Sequence, residues 1–250
     1  MPLVLYERQG HIALVTLNRP DKMNAISVEM MNGMAAAWAR LDRDAEARVA
    51  VLTANGRAFC TGLDMKDIAA GRMNHSILTT ATPNRFSPAS QSKPVIGAIN
   101  GPAIGAGLDF IAMDCDIIVA ADHVTFGMPE VGVGMASLGS PFAAARLPRA
   151  VVMAMFLTGE PITARRAYEI GLINYVAAAD QVLPKAMALA QKVADHAPNA
   201  VRQSRRNLLD ACASPPATRD SETAAARKPD IQQSAAKGVD AFVNKKRVVW

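Results

Sequence analysis

The chain has 250 residues, 27 basic against 22 acidic, for a net charge of +5. Half of its residues are apolar and 20% are charged, which excludes a disordered chain, while 16 Gly and 15 Pro without a period exclude collagen-like or low-complexity material. A chain of this length forms one large domain or two small ones, either able to bury a sizeable core.

The first eight residues lack the basic flank, apolar core and small-residue cleavage site of a secretory signal, and no stretch approaches the ~20 apolar residues that a bilayer requires, so no membrane association is expected. Residues 12–17 read as a buried strand. Ser27 can cap a helix whose apolar positions Val28, Met31, Met34, Trp38 and Leu41 recur at three and four residues, one core-facing stripe. Residues 49–53, 95–99 and 117–120 are further short apolar runs with β-branched content, again strands. Beyond Ala178 the pattern changes to helices over 180–196, 198–211 and 230–243, interrupted by Ser214-Pro215-Pro216. The expected architecture is an α/β core followed by a helical tail.

Two strand ends carry glycine-rich turns. One is Phe59-Cys60-Thr61-Gly62-Leu63-Asp64-Met65-Lys66, and the other runs from Asn100-Gly101-Pro102 through Gly105-Ala106-Gly107-Leu108-Asp109. Each leads toward a helix and can aim unpaired backbone N–H groups outward, so two such turns meeting in space would form an anion or oxyanion site. A dinucleotide-binding fingerprint fails because its third glycine would fall on Phe110. There is no phosphate-binding GKS/GKT loop, and neither Ser137 nor Ser140 stands in a Gly-x-Ser-x-Gly elbow.

What remains are carboxylates beside the glycine turns. Glu130, in Phe126-Gly127-Met128-Pro129-Glu130, and Asp109 are candidates for general acid or base chemistry. The competing structural roles are a helix cap or an arginine partner for Glu130, and an exposed first-turn position for Asp109. Cys60, Cys115 and Cys212 are odd in number and widely spaced, which implies reduced thiols, a cytoplasmic protein and neither disulfide framework nor zinc site. The four histidines are equally scattered, so no metal is expected. Basic residues are spread thinly without interleaved aromatics and read as a solvated face rather than a nucleic-acid surface.

Taken together, several stretches resemble the crotonase, or enoyl-CoA hydratase/isomerase, superfamily. They are Leu17-Asn18-Arg19-Pro20-Asp21-Lys22-Met23-Asn24-Ala25, the turn at 59–66, Lys93-Pro94-Val95 onward to Asp109, Asp114-Cys115-Asp116-Ile117, residues 126–132, residues 164–176 and Gly238-Val239-Asp240-Ala241-Phe242. The resemblance implies a spiral of ββα repeats over 1–195 that binds acyl-CoA, and a C-terminal helical region over 196–250 that forms trimers, often paired into hexamers. It implies an acyl-CoA thioester substrate, with coenzyme A part of that substrate and no dissociable cofactor.

Carried over by motif, the backbone N–H groups of Leu63 and Ala106 would hold the thioester carbonyl. Counting back from Asp116 puts Gly107 in the second place, because this chain has one more residue after Asp109 than the usual hydratase spelling. The two hydratase glutamates fall on Asp109, one methylene shorter, and Glu130. Lys22, Ala25, Thr61, Met65 and Lys66 would border the CoA, with Phe242 and Lys245 reaching in from a neighbouring subunit. Residues 134–141 depart from the usual hydratase spelling and would line the acyl pocket. The expected activity is hydration of a 2-enoyl-CoA. The alternatives are a Δ3,Δ2-enoyl-CoA isomerase using Glu130 alone and a non-catalytic binding protein of the same fold.

Overall fold

The computed structural model describes residues 1–73, 86–135 and 147–213, with Gln233 and Lys237 as isolated helical positions. β1 (Val4–Gln9) and β2 (Ile12–Leu17) form an antiparallel hairpin whose turn uses Gly10 at φ 59°. From β2 the main sheet continues in parallel through β3 (Val49–Ala54), β4 (Val95–Ile99), β6 (Ile117–Ala121) and β9 (Tyr175–Ala177), in the order β1-β2-β3-β4-β6-β9. Every residue of β3 and β4 is buried, as expected for parallel strands covered on both faces. A second sheet joins β5 (Ala103–Ile104), β7 (Thr125–Gly127) and β8 (Ile162–Thr163).

The helices are α1 (Val28–Arg43), α2 (Met65–Ala69), α3 (Arg149–Thr158), α4 (Ala164–Glu169), α5 (Val182–Ala194) and α6 (Pro198–Ala213). α5 packs across β2, β3, β4 and β6, while α1 lies against β1. Ser27 caps α1 as anticipated, its Oγ accepting from Met30 N–H at 3.1 Å. The buried stripe differs at its start: Met30, Met34, Ala37, Trp38 and Leu41 are buried, whereas Val28 and Met31 are only half-buried. Steps of three or four back from Met34 allow either Met30 or Met31, and periodicity alone does not choose. Packing decides: Met30 is fully buried in the core, while Met31 is only partly buried against it.

Two adjacent parallel strands, β3 and β4, deliver the glycine turns from their carboxyl ends, where open α/β sheets bind ligands. The Asn100 side chain donates to Ala54 O at 2.9 Å and Gly56 O at 3.2 Å, tying the two exits together. Cys60 then bridges Ala103, with Ile104 N–H donating to Cys60 O at 2.9 Å. Among the described residues, no helix is long and apolar enough to cross a membrane.

Candidate active site

The first turn is held as a short parallel bridge between Ile26 and Leu63. Ile26 N–H donates to Gly62 O at 2.7 Å and Asp64 N–H to Ile26 O at 2.9 Å. The bridge engages the groups on either side of Leu63, which turns the Leu63 N–H toward the opposite edge. Gly62 has φ 88°, a left-handed conformation that glycine adopts without cost.

The second turn comes directly against the first. A Cβ at Gly62 would lie 3.1 Å from Ile104 O and 3.4 Å from Ala106 N. Ala106 opens the helical segment after Gly105, where first-turn N–H groups have no intrahelical acceptor. Gly107 packs on the backbone of the first turn instead: a Cβ there would sit 2.4 Å from Cys60 O. The two loops, remote in sequence, do meet.

Past this point Leu108–Ala112 form a π-helical turn, with Met113 N–H donating to Leu108 O at 2.9 Å across five residues. A π-turn takes up one extra residue within a helix, and it lies in the interval where forward and backward counts disagree. Asp109 N–H donates to Gly105 O at 3.0 Å across four residues, so Asp109 keeps the register of the glycine turn before the widening begins. Asp109 is buried at 5% exposure, which excludes the exposed first-turn role.

Glu130 arrives from the second sheet. β5 and β7 pair in parallel, and Gly105 N–H donates to Gly127 O at 2.9 Å. Three residues on, Glu130 starts a 3₁₀ turn, Glu130–Val133, behind Pro129, and Gly134 closes it at φ 73°. A Cβ at Gly105 would lie 2.8 Å from Glu130 Oε1 and 3.8 Å from Gly62 Cα, so the carboxyl group sits over the junction of the two turns. Glu130 is half-buried, and its Oε2 is shielded from solvent.

On the outer side of the first turn, Thr61 Oγ1 donates to Met23 O at 3.3 Å, bringing the loop with exposed Lys22 and half-buried Ala25 beside exposed Met65 and Lys66 at the start of α2. Phe242 and Lys245 lie outside the described residues, as does the stretch 136–146 that covers most of the departure at 134–141.

Three residues in the matched stretches proved structurally central although their chemistry had suggested no role. Asn24, fully buried at φ 54°, donates to Asn55 O and Ala58 O, each at 2.9 Å, and accepts from Arg19 N–H at 2.8 Å. Arg19 Nη1 donates to Asp64 Oδ2 at 2.7 Å and Ala25 O at 3.1 Å. Asp64 also caps α2, accepting from Lys66 N–H at 3.0 Å. Burial alone would raise the Asp64 carboxyl, but the hydrogen bond from Arg19, that from Lys66 N–H and the Arg19 charge outweigh it and hold the group below its ordinary value. A buried polar pair of this kind shows itself in sequence only as polar residues inside a recurring motif.

Cys60 and Cys115 are packing residues. Burial pushes the Cys60 thiol up to about 12, and its Sγ donates to Asn24 O at 3.1 Å. Cys115 is buried and likewise raised. Neither supplies a thiolate at neutral pH. Among the described residues no group of three or more His, Cys, Asp or Glu side chains could hold a metal ion.

An α/β fold with two apposed glycine turns under one carboxyl group defines a class of site suited to polarising a carbonyl and moving a proton. Comparison with known proteins makes this specific. The Enoyl-CoA hydratase/isomerase family profile matches residues 7–250, and the chain belongs to that family. It is 39% identical over 211 residues to (E)-benzylidenesuccinyl-CoA hydratase of Thauera aromatica, spanning 82% of this chain and 81% of that protein. It is 36% identical over 218 residues to enoyl-CoA hydratase EchA19 of Mycobacterium tuberculosis, spanning 84% and 81%. The solved enoyl-CoA hydratase of M. tuberculosis H37Rv superposes at a TM-score of 0.87 with 32% identity, covering 100% of this chain and 99% of that one.

Proposed function

We propose that the protein is an enoyl-CoA hydratase adding water syn across the double bond of a 2-enoyl-CoA. The observation that carries this reading is the contact of Gly62 with Ile104 O and Ala106 N beneath the Glu130 carboxyl group. The hydratase names of the two relatives support it.

The thioester carbonyl oxygen accepts from Leu63 N–H and Ala106 N–H, which stabilise the charge developing as the enolate forms. Each preorganised donor contributes about 3–4 kcal/mol, or about 10²–10³ in rate. Ala106 is preferred to Gly107 because Gly107 is committed to close packing on Cys60 O. Water oxygen adds at C3 while Glu130 exchanges a proton with the α-carbon, and Asp109 positions and activates the water. Hydration is redox-neutral and needs no dissociable cofactor; coenzyme A is part of the substrate.

In this reading Lys22, Ala25, Thr61, Met65 and Lys66 border the CoA, and Phe242 and Lys245 reach in from a neighbouring subunit. Residues 1–195 are the ββα-spiral acyl-CoA-binding core and 196–250 the helical region that builds a homotrimer or a hexamer, in the cytoplasm. The turn between α5 and α6 supports a boundary there.

Loss of enoyl absorbance with crotonyl-CoA, measured beside double-bond migration in a 3-enoyl-CoA, tests the activity. Glu130→Gln is expected to abolish both reactions, and Asp109→Asn to damage hydration far more than migration. Migration without hydration would establish the isomerase reading instead. Neither reaction in the parent would indicate a binding protein, and full activity in Glu130→Gln would remove the carboxylate mechanism.

A further inference from the structure

We infer that Arg19 is a positioning residue for the Leu63 N–H, acting through Asp64 and linking the CoA-bordering loop to the carbonyl-binding turn. The inference rests on the Leu63 role proposed above. Leu63 lies between the two backbone hydrogen bonds that Gly62 and Asp64 make with Ile26. Those bonds fix where the strand segment runs, and Asp67, accepting from Val28 N–H at 3.0 Å, ties the start of α2 to the start of α1. The restraint that acts on the residues flanking the bridge is the guanidinium: one nitrogen, Arg19 Nη1, donates both to Asp64 Oδ2 and to Ala25 O, the residues following Leu63 and preceding Ile26. Both side chains are largely shielded, at 19% exposure for Arg19 and 10% for Asp64, so solvent screens the pair little.

The Arg19 end is itself held firmly. Its backbone N–H donates to Asn24 Oδ1 at 2.8 Å, and its carbonyl accepts from Lys22 N–H at 3.1 Å and Asn24 N–H at 3.0 Å. Met23 and Asn24 adopt φ 50° and 54°, left-handed values that residues with a Cβ adopt only when their surroundings impose them. Here the imposing contacts are the Asn24 side-chain bonds to Asn55 O and Ala58 O, together with Cys60 Sγ donating to Asn24 O. The loop that presents Lys22 and Ala25 to the nucleotide end of the substrate is therefore a stiff arm ending on Asp64. Contact with the remote handle can thus be used to orient an amide that matters only at the reacting carbonyl. Lysine replaces arginine only in part: its ammonium carries enough donors for both acceptors, but on a shorter stem and without the fixed plane that holds Nη1 between them.

The test uses the full-length protein and ¹³C-carbonyl-labelled crotonyl-CoA bound to Glu130→Gln, which does not turn over. Infrared difference spectroscopy should show the carbonyl stretch lowered by polarisation, and adding Arg19→Met or Asp64→Asn should remove at least half of that shift. In the otherwise intact enzyme, either substitution should lower kcat about 10- to 100-fold while free CoA binds within three-fold of the parent, and Arg19→Lys should recover only part of the loss. Asp64→Asn keeps both size and helix-cap oxygen, so it provides the test if Arg19→Met does not fold. A full carbonyl shift with kcat within two-fold in Asp64→Asn overturns the inference, even if the melting temperature falls, because a purely structural pair would move only the latter. No shift in Glu130→Gln itself would instead remove the Leu63 reading, and the inference with it.

Discussion

Replacing Gly62 with alanine separates backbone strain from the contact between the two turns. The residue has φ 88°, and a left-handed conformation costs a residue with a Cβ roughly 1–2 kcal/mol. The new methyl group would also stand 3.1 Å from Ile104 O and 3.4 Å from Ala106 N, both backbone atoms that cannot rotate away. Relief requires the turns to part by a few tenths of an ångström, which spreads the Leu63 and Ala106 amides. The expected stability loss is about 2–4 kcal/mol with overpacking included, and kcat should fall about 10- to 1000-fold as one donor loses its geometry. Gly71→Ala is the control: φ there is 67°, but nothing lies within 4 Å of the added Cβ. It should lose about 1–2 kcal/mol and retain full kcat. Thermal melting and crotonyl-CoA hydration on both variants give the comparison. If Gly62→Ala matched Gly71→Ala in both stability and kcat, the turns would not be in contact and the proposed carbonyl site would fail.

Gly107→Ala should be worse tolerated than Gly62→Ala, because its Cβ would lie 2.4 Å from Cys60 O; soluble yield and melting temperature report this, and a parent-like protein would contradict the close packing. Lys93, buried, donates through Nζ to Leu41 O and Asp44 O, each at 2.6 Å, closing the carboxyl end of α1. Both carbonyls keep a backbone donor, Asp44 N–H for Leu41 O and Ala47 N–H for Asp44 O, so Lys93→Met should cost about 1–3 kcal/mol in all for the lost charged hydrogen bonds, read as a lower urea midpoint with unchanged slope. The lowered Asp64 carboxyl sets a pH dependence. A folded value below the unfolded one, about 3.9, contributes stability that is fully present above that range and is lost as pH falls through the lowered value. Asp64→Asn should therefore be less stable than the parent at pH 7, with the gap closing below about pH 4; a gap independent of pH would show that the charge is not what Arg19 holds.

Much of the frame was legible because its physics is local. The strand at 95–99 is an uninterrupted apolar run with turn residues on both sides, and β4 occupies the same residues. Ser27 before an apolar periodic stretch marks a helix start wherever the pattern occurs. The edge strand β1 was not legible: its pattern runs from half-buried to exposed rather than alternating, and only pairing with β2 makes it a strand. β5, β7 and β8, two or three residues each, owe their conformation to partners and carry no period of their own. Among the candidate site residues, Glu130 and Asp109 drew notice as carboxylates beside glycines, while Arg19, Asn24 and Asp64 hold the surrounding loops through bonds to groups up to 45 residues away.

By itself the sequence determined the α/β class, the two glycine turns and the residue types at the site, since composition, periodicity and turn chemistry are properties of neighbours in the chain. Tertiary structure decided that those turns touch, that Glu130 crosses from the second sheet to stand over them, and that the chain widens into a π-turn over Leu108–Ala112. The physical reason is that each depends on strand pairing and close backbone approach between segments far apart in sequence, where a few tenths of an ångström separate a working hydrogen bond from none.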